Sequence, residues 1–281
     1  MKRGEVWTFL VMFCVLLVGG LVYEHWPRPM VSAAGQVGSH LRFENTLLEK
    51  TAIPQQLADW QQRQQEDEPP KPKVQIDYAN PVFTQQESDY LSDAVFIGDS
   101  RTQGLQLGTG LTQAVFLAER GMSVDLVNEK AIFPLSDGST GTVYQVLEEQ
   151  TFSKAYLMFG LNELGWYDVD EFISQYRQVI QKIHELQPDI LIYVQAMIPV
   201  TEEKSNDGDV YTNDKIFYRN QRIQQMAQEE SCVFLDPGEA VRNEEGALPA
   251  EAATDGIHLT AEYCQKWLDY LLQHAIVLDT E

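Results

Sequence analysis

The sequence predicts an α/β domain, a parallel sheet covered by helices on both faces, standing behind one apolar N-terminal helix and a stalk. Three observations carry this. Five short, near-continuous apolar runs alternate with amphipathic helical patterns from about residue 90 to the end; residues 6–23 hold no charge at all; and residues 36–81 are poor in apolar side chains.

Residues 6–23 (VWTFLVMFCVLLVGGLVY) follow Lys2 and Arg3 and number 18, the lower limit for spanning a bilayer core. A cleaved signal peptide carries a shorter apolar region and small residues just beyond it, and Ser32-Ala33-Ala34 lies well past Tyr23. An uncleaved signal anchor is therefore the expectation, with cleavage as the alternative. Lys2 and Arg3 place the N-terminus in the cytoplasm and all that follows outside. Cys14 follows Phe13 rather than a small residue, so no lipid attachment is expected there.

The expected organisation is a cytoplasmic tip and transmembrane anchor over residues 1–28, an extracytoplasmic stalk over 29–85 and one domain over 86–281. The stalk assignment rests on the Gln-rich stretch 55–65 and on EDEPPKPK at 66–73, whose charges and prolines resist packing.

Within the domain the strand candidates are 94–98 (AVFIG), 114–118 (AVFLA), 155–159 (AYLMF), 190–195 (ILIYVQ) and 232–235 (CVFL). Strands buried on both faces read as such runs, which is why a parallel sheet is predicted. Helical patterns cover 141–150, 169–186, 214–230 and 260–274; in 169–186, Phe172, Ile173, Tyr176, Val179, Ile180 and Ile183 fall at helical spacing. Residues 124–139 read as a small hairpin with its turn at Asp137-Gly138.

Forty-two acidic and twenty basic residues leave a net charge of −22, which repels nucleic acid and anionic headgroups alike. Membrane association must then come from the apolar segment. The cysteines Cys14, Cys232 and Cys264 form no metal-binding spacing, and Cys232 and Cys264 read as free buried thiols, with a disulfide as the alternative.

The first strand candidate runs into Gly98-Asp99-Ser100, which puts Ser100 at the carboxyl end of a strand and the start of a helix. Tripeptides of this kind also occur as ordinary turns and helix caps. A nucleophilic serine needs a base. Of five histidines, His25 borders the apolar helix, His40 lies in the stalk, His184 sits among polar neighbours on a long helix, and His274 ends the last helix. His258 differs, because Asp255 precedes it by three residues, a spacing that lets a carboxylate hold the imidazole Nδ1 proton; an Asp-Gly turn is the plainer reading. Asn162, after the third strand candidate, can aim an amide N–H at the same space or satisfy local backbone, and Gly121, after the second, can present its N–H to a ligand or simply permit a turn.

Together Gly98-Asp99-Ser100, Gly121, Gly160-Leu161-Asn162 and Asp255-Gly256-Ile257-His258 resemble, in order and placement, the blocks of the SGNH (GDSL-like) hydrolases over roughly residues 90–275. The resemblance implies a flavodoxin-like three-layer fold and a serine esterase working without metal or cofactor. It further implies Ser100, Asp255 and His258 as triad and Ser100, Gly121 and Asn162 as oxyanion hole. Arg101 stands where the family usually has Leu, and Glu163 where it often has Asp, so both are expected at the rim of the site, with Trp166 and Tyr167 either as further substrate contacts or as cover for the core. The loop 201–212 should overhang it. An anchored esterase outside the cell is placed to remove acyl groups, O-acetyl above all, from cell-envelope glycan. An O-acyltransferase of the same fold and a catalytically silent surface scaffold are the alternatives.

Overall fold

The structure, a computed structural model, describes residues 76–277 apart from 167 and 209. The expected membrane anchor, and the stalk up to residue 75, lie outside the described residues. Among the described residues no helix is long and apolar enough to cross a membrane.

Five parallel strands form the main sheet: β1 (Ala94–Gly98), β2 (Val115–Ala118), β5 (Lys154–Met158), β6 (Leu191–Gln195) and β7 (Val233–Leu235), in the order β2-β1-β5-β6-β7. This is the doubly wound order of flavodoxin-like sheets, in which the chain reverses direction beside β1 and opens a crevice at the strand carboxyl ends. Four of the five strands are buried along their whole length, which accounts for their unbroken apolar sequence.

Alternate residues of each strand feed two separate cores. Val95 and Ile97 point toward α2 (Val143–Glu149), α3 (Val169–Leu186) and α5 (Asn213–Glu229); Ala94 and Phe96 point toward α1 (Ser100–Thr109) and α6 (Ala261–Gln273). On the second face Phe116, Phe96, Tyr156 and Tyr193 occupy matching register positions on four neighbouring strands and stack with centroids 4.7, 4.6 and 4.5 Å apart. A short helix, α4 (Glu202–Asn206), lies inside the loop that follows β6.

Two boundaries differ from the sequence reading. The hairpin pairs β3 (Phe133–Pro134) with β4 (Thr140–Gly141), so its second strand takes Gly141 from the expected helix, which starts two residues later behind a Thr142–Gln145 capping box. Residues 124–129 form turns instead of a strand. The domain also begins before residue 86. Ile76, Tyr78 and Phe83 pack on the second core, and Thr84 N donates to Ala275 O at 2.8 Å. These apolar residues are too few and too scattered to show a periodicity. Cys232 and Cys264 are buried free thiols.

Candidate active site

Gly98 ends β1 because nothing larger fits. A Cβ there would lie 2.3 Å from Thr102 Oγ1 and 2.6 Å from Met158 O, so α1 can start directly against the sheet only above a glycine. Asp99 caps α1 by accepting from Arg101 N at 2.9 Å. Ser100 is thus the first helical residue, and its backbone N–H is among the four that have no acceptor within the helix.

The histidine arrives on the segment before α6, which packs on the same face as α1. The approach is close, since a Cβ on Gly108 would meet Cys264 Cβ and Sγ at 2.8 Å. Asp255 Oδ1 accepts from Ile257 N at 2.9 Å and His258 N at 2.8 Å, closing a turn around Gly256, whose φ of +77° favours glycine. Thr201 N donates to Gly256 O at 2.9 Å, tying the loop after β6 to that turn.

The result is a hydrogen-bonded chain. Ser100 Oγ lies 2.9 Å from His258 Nε2, and His258 Nδ1 lies 2.6 Å from Asp255 Oδ2. Burial acts to raise the Asp255 pKa, but hydrogen bonds from the imidazole and from the His258 and Ile257 N–H groups outweigh it and bring it down to about 2. An ionised Asp255 holds the proton on Nδ1 and leaves Nε2 free to accept from the serine.

Asn162 opens a short 3₁₀ turn, Asn162–Gly165, after β5. Its Nδ2 donates to Met122 O at 2.8 Å and only marginally to Asp99 Oδ2 at 3.5 Å. It therefore stands between the residue after Gly121 and the residue before Ser100. Gly121 is exposed with φ +72°, and an added Cβ would meet nothing within 4 Å, so its backbone angle is what selects glycine there.

Two expected rim residues point inward instead. Arg101 is 3% exposed, and its guanidinium donates to the carbonyls of Ile257, Ile198 and Pro199. Glu163 is 0% exposed, and its carboxyl accepts from Val124 N at 2.8 Å and Gly160 N at 3.1 Å. Neither can touch a substrate. Their places beside the motif residues pointed to the rim; here backbone groups of converging loops compensate the burial of their charges. Burial raises the Glu163 pKa to about 7 against the pull of those N–H groups, with Asp99 adding to the rise. Asp99, also buried, is raised for the same first reason despite the N–H of Arg101 and the charges of Arg101 and His258.

Trp166 is half-buried against the first core and Tyr167 lies outside the described residues. Arg219, not singled out from sequence, donates to Glu163 O and, at 2.9 Å, to Trp166 O, thereby fixing the segment that carries Asn162. Its signal was present: Ile216, Arg219, Ile223 and Met226 share the buried face of α5, and an arginine in an apolar stripe needs an internal partner. In the loop after β6, Tyr211 packs on the first core and Val210 lies 3.8 Å from a Cβ built on Gly165. Residues of Thr201–Asp207 and Asn243–Gly256 line an open cavity of about 510 Å³ that includes Asp255. Among the described residues no group of three or more His, Cys, Asp or Glu is arranged to hold a metal ion.

A model of the GDSL-like Lipase/Acylhydrolase family matches residues 96–265, a span that contains every residue of this site. Among solved structures, a Streptococcus pneumonia protein assigned as a platelet activating factor is similar at 22% identity and a TM-score of 0.50, over 84% of this chain and 99% of its own. An acetyl xylan esterase is similar at 19% identity and a TM-score of 0.48, over 63% of this chain and 96% of its own. A carbohydrate esterase family 3 protein from Talaromyces cellulolyticus shows 14% identity and a TM-score of 0.44, over 63% of this chain and 93% of its own. No curated protein matches the sequence.

Proposed function

The chain belongs to the GDSL-like lipase/acylhydrolase family and is a carboxylic-ester hydrolase, and from that premise we propose that Ser100, His258 and Asp255 remove short acyl groups, O-acetyl foremost, from cell-surface carbohydrate. The observation that carries the reading is the unbroken chain of contacts at 2.9 and 2.6 Å from Ser100 Oγ through His258 to Asp255. In the proposed reaction Ser100 Oγ attacks the ester carbonyl while His258 Nε2 takes its proton, and the imidazolium is steadied by the Asp255 carboxylate. The negative charge on the former carbonyl oxygen falls to the N–H groups of Ser100 and Gly121 and to the Asn162 amide, one such donor being worth ~10²–10³ in rate. His258 then returns the proton to the departing alkoxide, and water attacks the acyl-enzyme by the same route.

The carbohydrate substrate is supported by location: a signal anchor formed by residues 6–23 would hold the enzyme outside the cell, within reach of acylated envelope glycan. The test is twofold. A fluorophosphonate probe should label the purified protein at Ser100 and leave Ser100→Ala unlabelled and inactive. A panel of p-nitrophenyl esters of increasing acyl length, run beside acetylated glycans, should show acetyl release; turnover by Ser100→Ala, or a preference for long chains, would overturn the reading.

A further inference from the structure

The histidine turn packs through buried Gly256 and half-buried Ile257, but the Asp255 and His258 side chains are 51% and 45% exposed, so hydrogen bonds add to packing in setting where the imidazole stands. Most of those bonds lie within the turn or join it to the loop after β6. One comes from the nucleophile's own helix: Arg101 Nε donates to the carbonyl of Ile257, the residue before His258, at 3.1 Å. The same guanidinium donates to Ile198 O and, at 3.1 Å, to Pro199 O in the loop after β6.

We infer that Arg101 is a positioning residue for the hydrolysis, clamping the His258 turn and the loop after β6 to the first turn of α1 so that Nε2 stays within reach of Ser100 Oγ. The planar fork of a guanidinium suits three carbonyls arriving from two segments. A leucine, the family's usual residue at this place, offers none of these donors. Burial lowers the Arg101 pKa to about 10 against the opposing pull of Asp99, Asp255 and Tyr211, so the clamp stays charged at neutral pH. Because Arg101 is 3% exposed it acts on the reaction only through the backbone it holds.

This inference rests on the Ser100–His258–Asp255 reading and predicts a division between kcat and KM. Full-length Arg101→Leu, Arg101→Lys and Ser100→Ala proteins should be compared with the native protein in ester turnover and in the rate of fluorophosphonate labelling. Misplacement of a reacting group by about 1 Å costs on the order of 10²-fold. Arg101→Leu should therefore lose ~10²-fold in kcat and in labelling rate with KM changed by less than about twofold. Arg101→Lys, with one point donor in place of the fork, should lose ~10-fold in both; it remains the deciding variant if the leucine protein does not fold. Native kcat in either folded variant overturns the inference, as does a loss confined to KM, which would mean substrate contact. An active Ser100→Ala would instead sink the triad reading itself, whereas an inactive Ser100→Ala beside a native-like Arg101→Leu sinks the clamp alone.

Discussion

Replacing Glu163 by Gln tests the polar anchoring behind Asn162. The Glu163 carboxyl is fully buried and bridges Val124 N to Gly160 N, joining the segment after Gly121 to the segment before Asn162. Its pKa is about 7 in the folded protein, against an ordinary 4.5, chiefly because of burial. The folded state therefore holds this proton more tightly than the unfolded chain, and between pH 4.5 and 7 it binds more protons there. Stability must fall as pH rises through that window and level off above it. At ~1.4 kcal/mol per pH unit the gap between 4.5 and about 7 corresponds to about 3 kcal/mol. A glutamine offers one oxygen to the two N–H groups, so at acid pH the variant should be weaker by ~1–3 kcal/mol. It has no charge to bury, and by pH 8 that deficit should shrink to nothing or reverse. Asp99, raised by its own burial, leaves some slope in both proteins. The measurement is urea unfolding of both proteins, without residues 1–30, from pH 4.5 to 8. Free energies that run parallel between pH 4.5 and 7 would refute the assignment of a buried, proton-holding Glu163.

Other expectations follow from the same geometry. Asn162→Ala should lower kcat ~10²–10³-fold with KM nearly unchanged, and Asp255→Asn should lower it further, ~10⁴-fold, by favouring the wrong tautomer of His258. A nearly silent Asp255→Asn beside a severe Asn162→Ala would reduce the site to a Ser100–His258 dyad. Gly98→Ala should lower the thermal midpoint and displace α1, because its Cβ would fall 2.6 Å from the immovable Met158 carbonyl; an unchanged midpoint and kcat would show that the helix can yield. Removal of residues 1–30 should yield a soluble, active enzyme, checked by membrane fractionation after a high-salt wash; persistent membrane partitioning would disprove the proposed anchor.

Much of the fold was legible because a strand buried on both faces has no choice but to be apolar. β1 matches its expected bounds and the other four main strands fall within one residue of theirs. The grouping of Ser100, His258 and Asp255 was legible because Ser100 follows the end of β1 and the other two lie three residues apart before α6. Arg101 and Glu163 were misplaced at the rim for one physical reason. Sequence shows a charge but not the backbone carbonyls and N–H groups that converge on it from distant loops, such as Ile198 and Pro199 after β6 or Val124 beyond Gly121. The hairpin slipped because pairing is set by where two residues of each strand meet, and Phe133–Pro134 with Thr140–Gly141 offers too short a pattern to register. Its turn at Asp137-Gly138 was nonetheless read correctly, since Gly138 adopts φ +86°.

The carboxyl groups around the site are driven in opposite directions, and the division matches the charges that the proposed reaction needs. Asp255, half-exposed and bonded by three N–H groups, is held down to about 2, so it is an anion at neutral pH and in the proposed reaction would stabilise the imidazolium that forms when Ser100 gives up its proton. Glu163, buried beside the residue assigned to the oxyanion, is held up to about 7 and so is neutral through mildly acidic pH. In the proposed reaction an anion at Glu163 would oppose the negative charge assigned to the neighbourhood of Asn162, and the low-dielectric surroundings would strengthen that opposition. Arg101 interacts with both Asp99 and Asp255 and keeps its own charge. The two charged groups expected from the sequence at the rim are instead buried against backbone: Arg101 holds carbonyls of the histidine turn and of the loop after β6, and Glu163 joins Val124 to Gly160, as a neutral acid only below a pH of about 7.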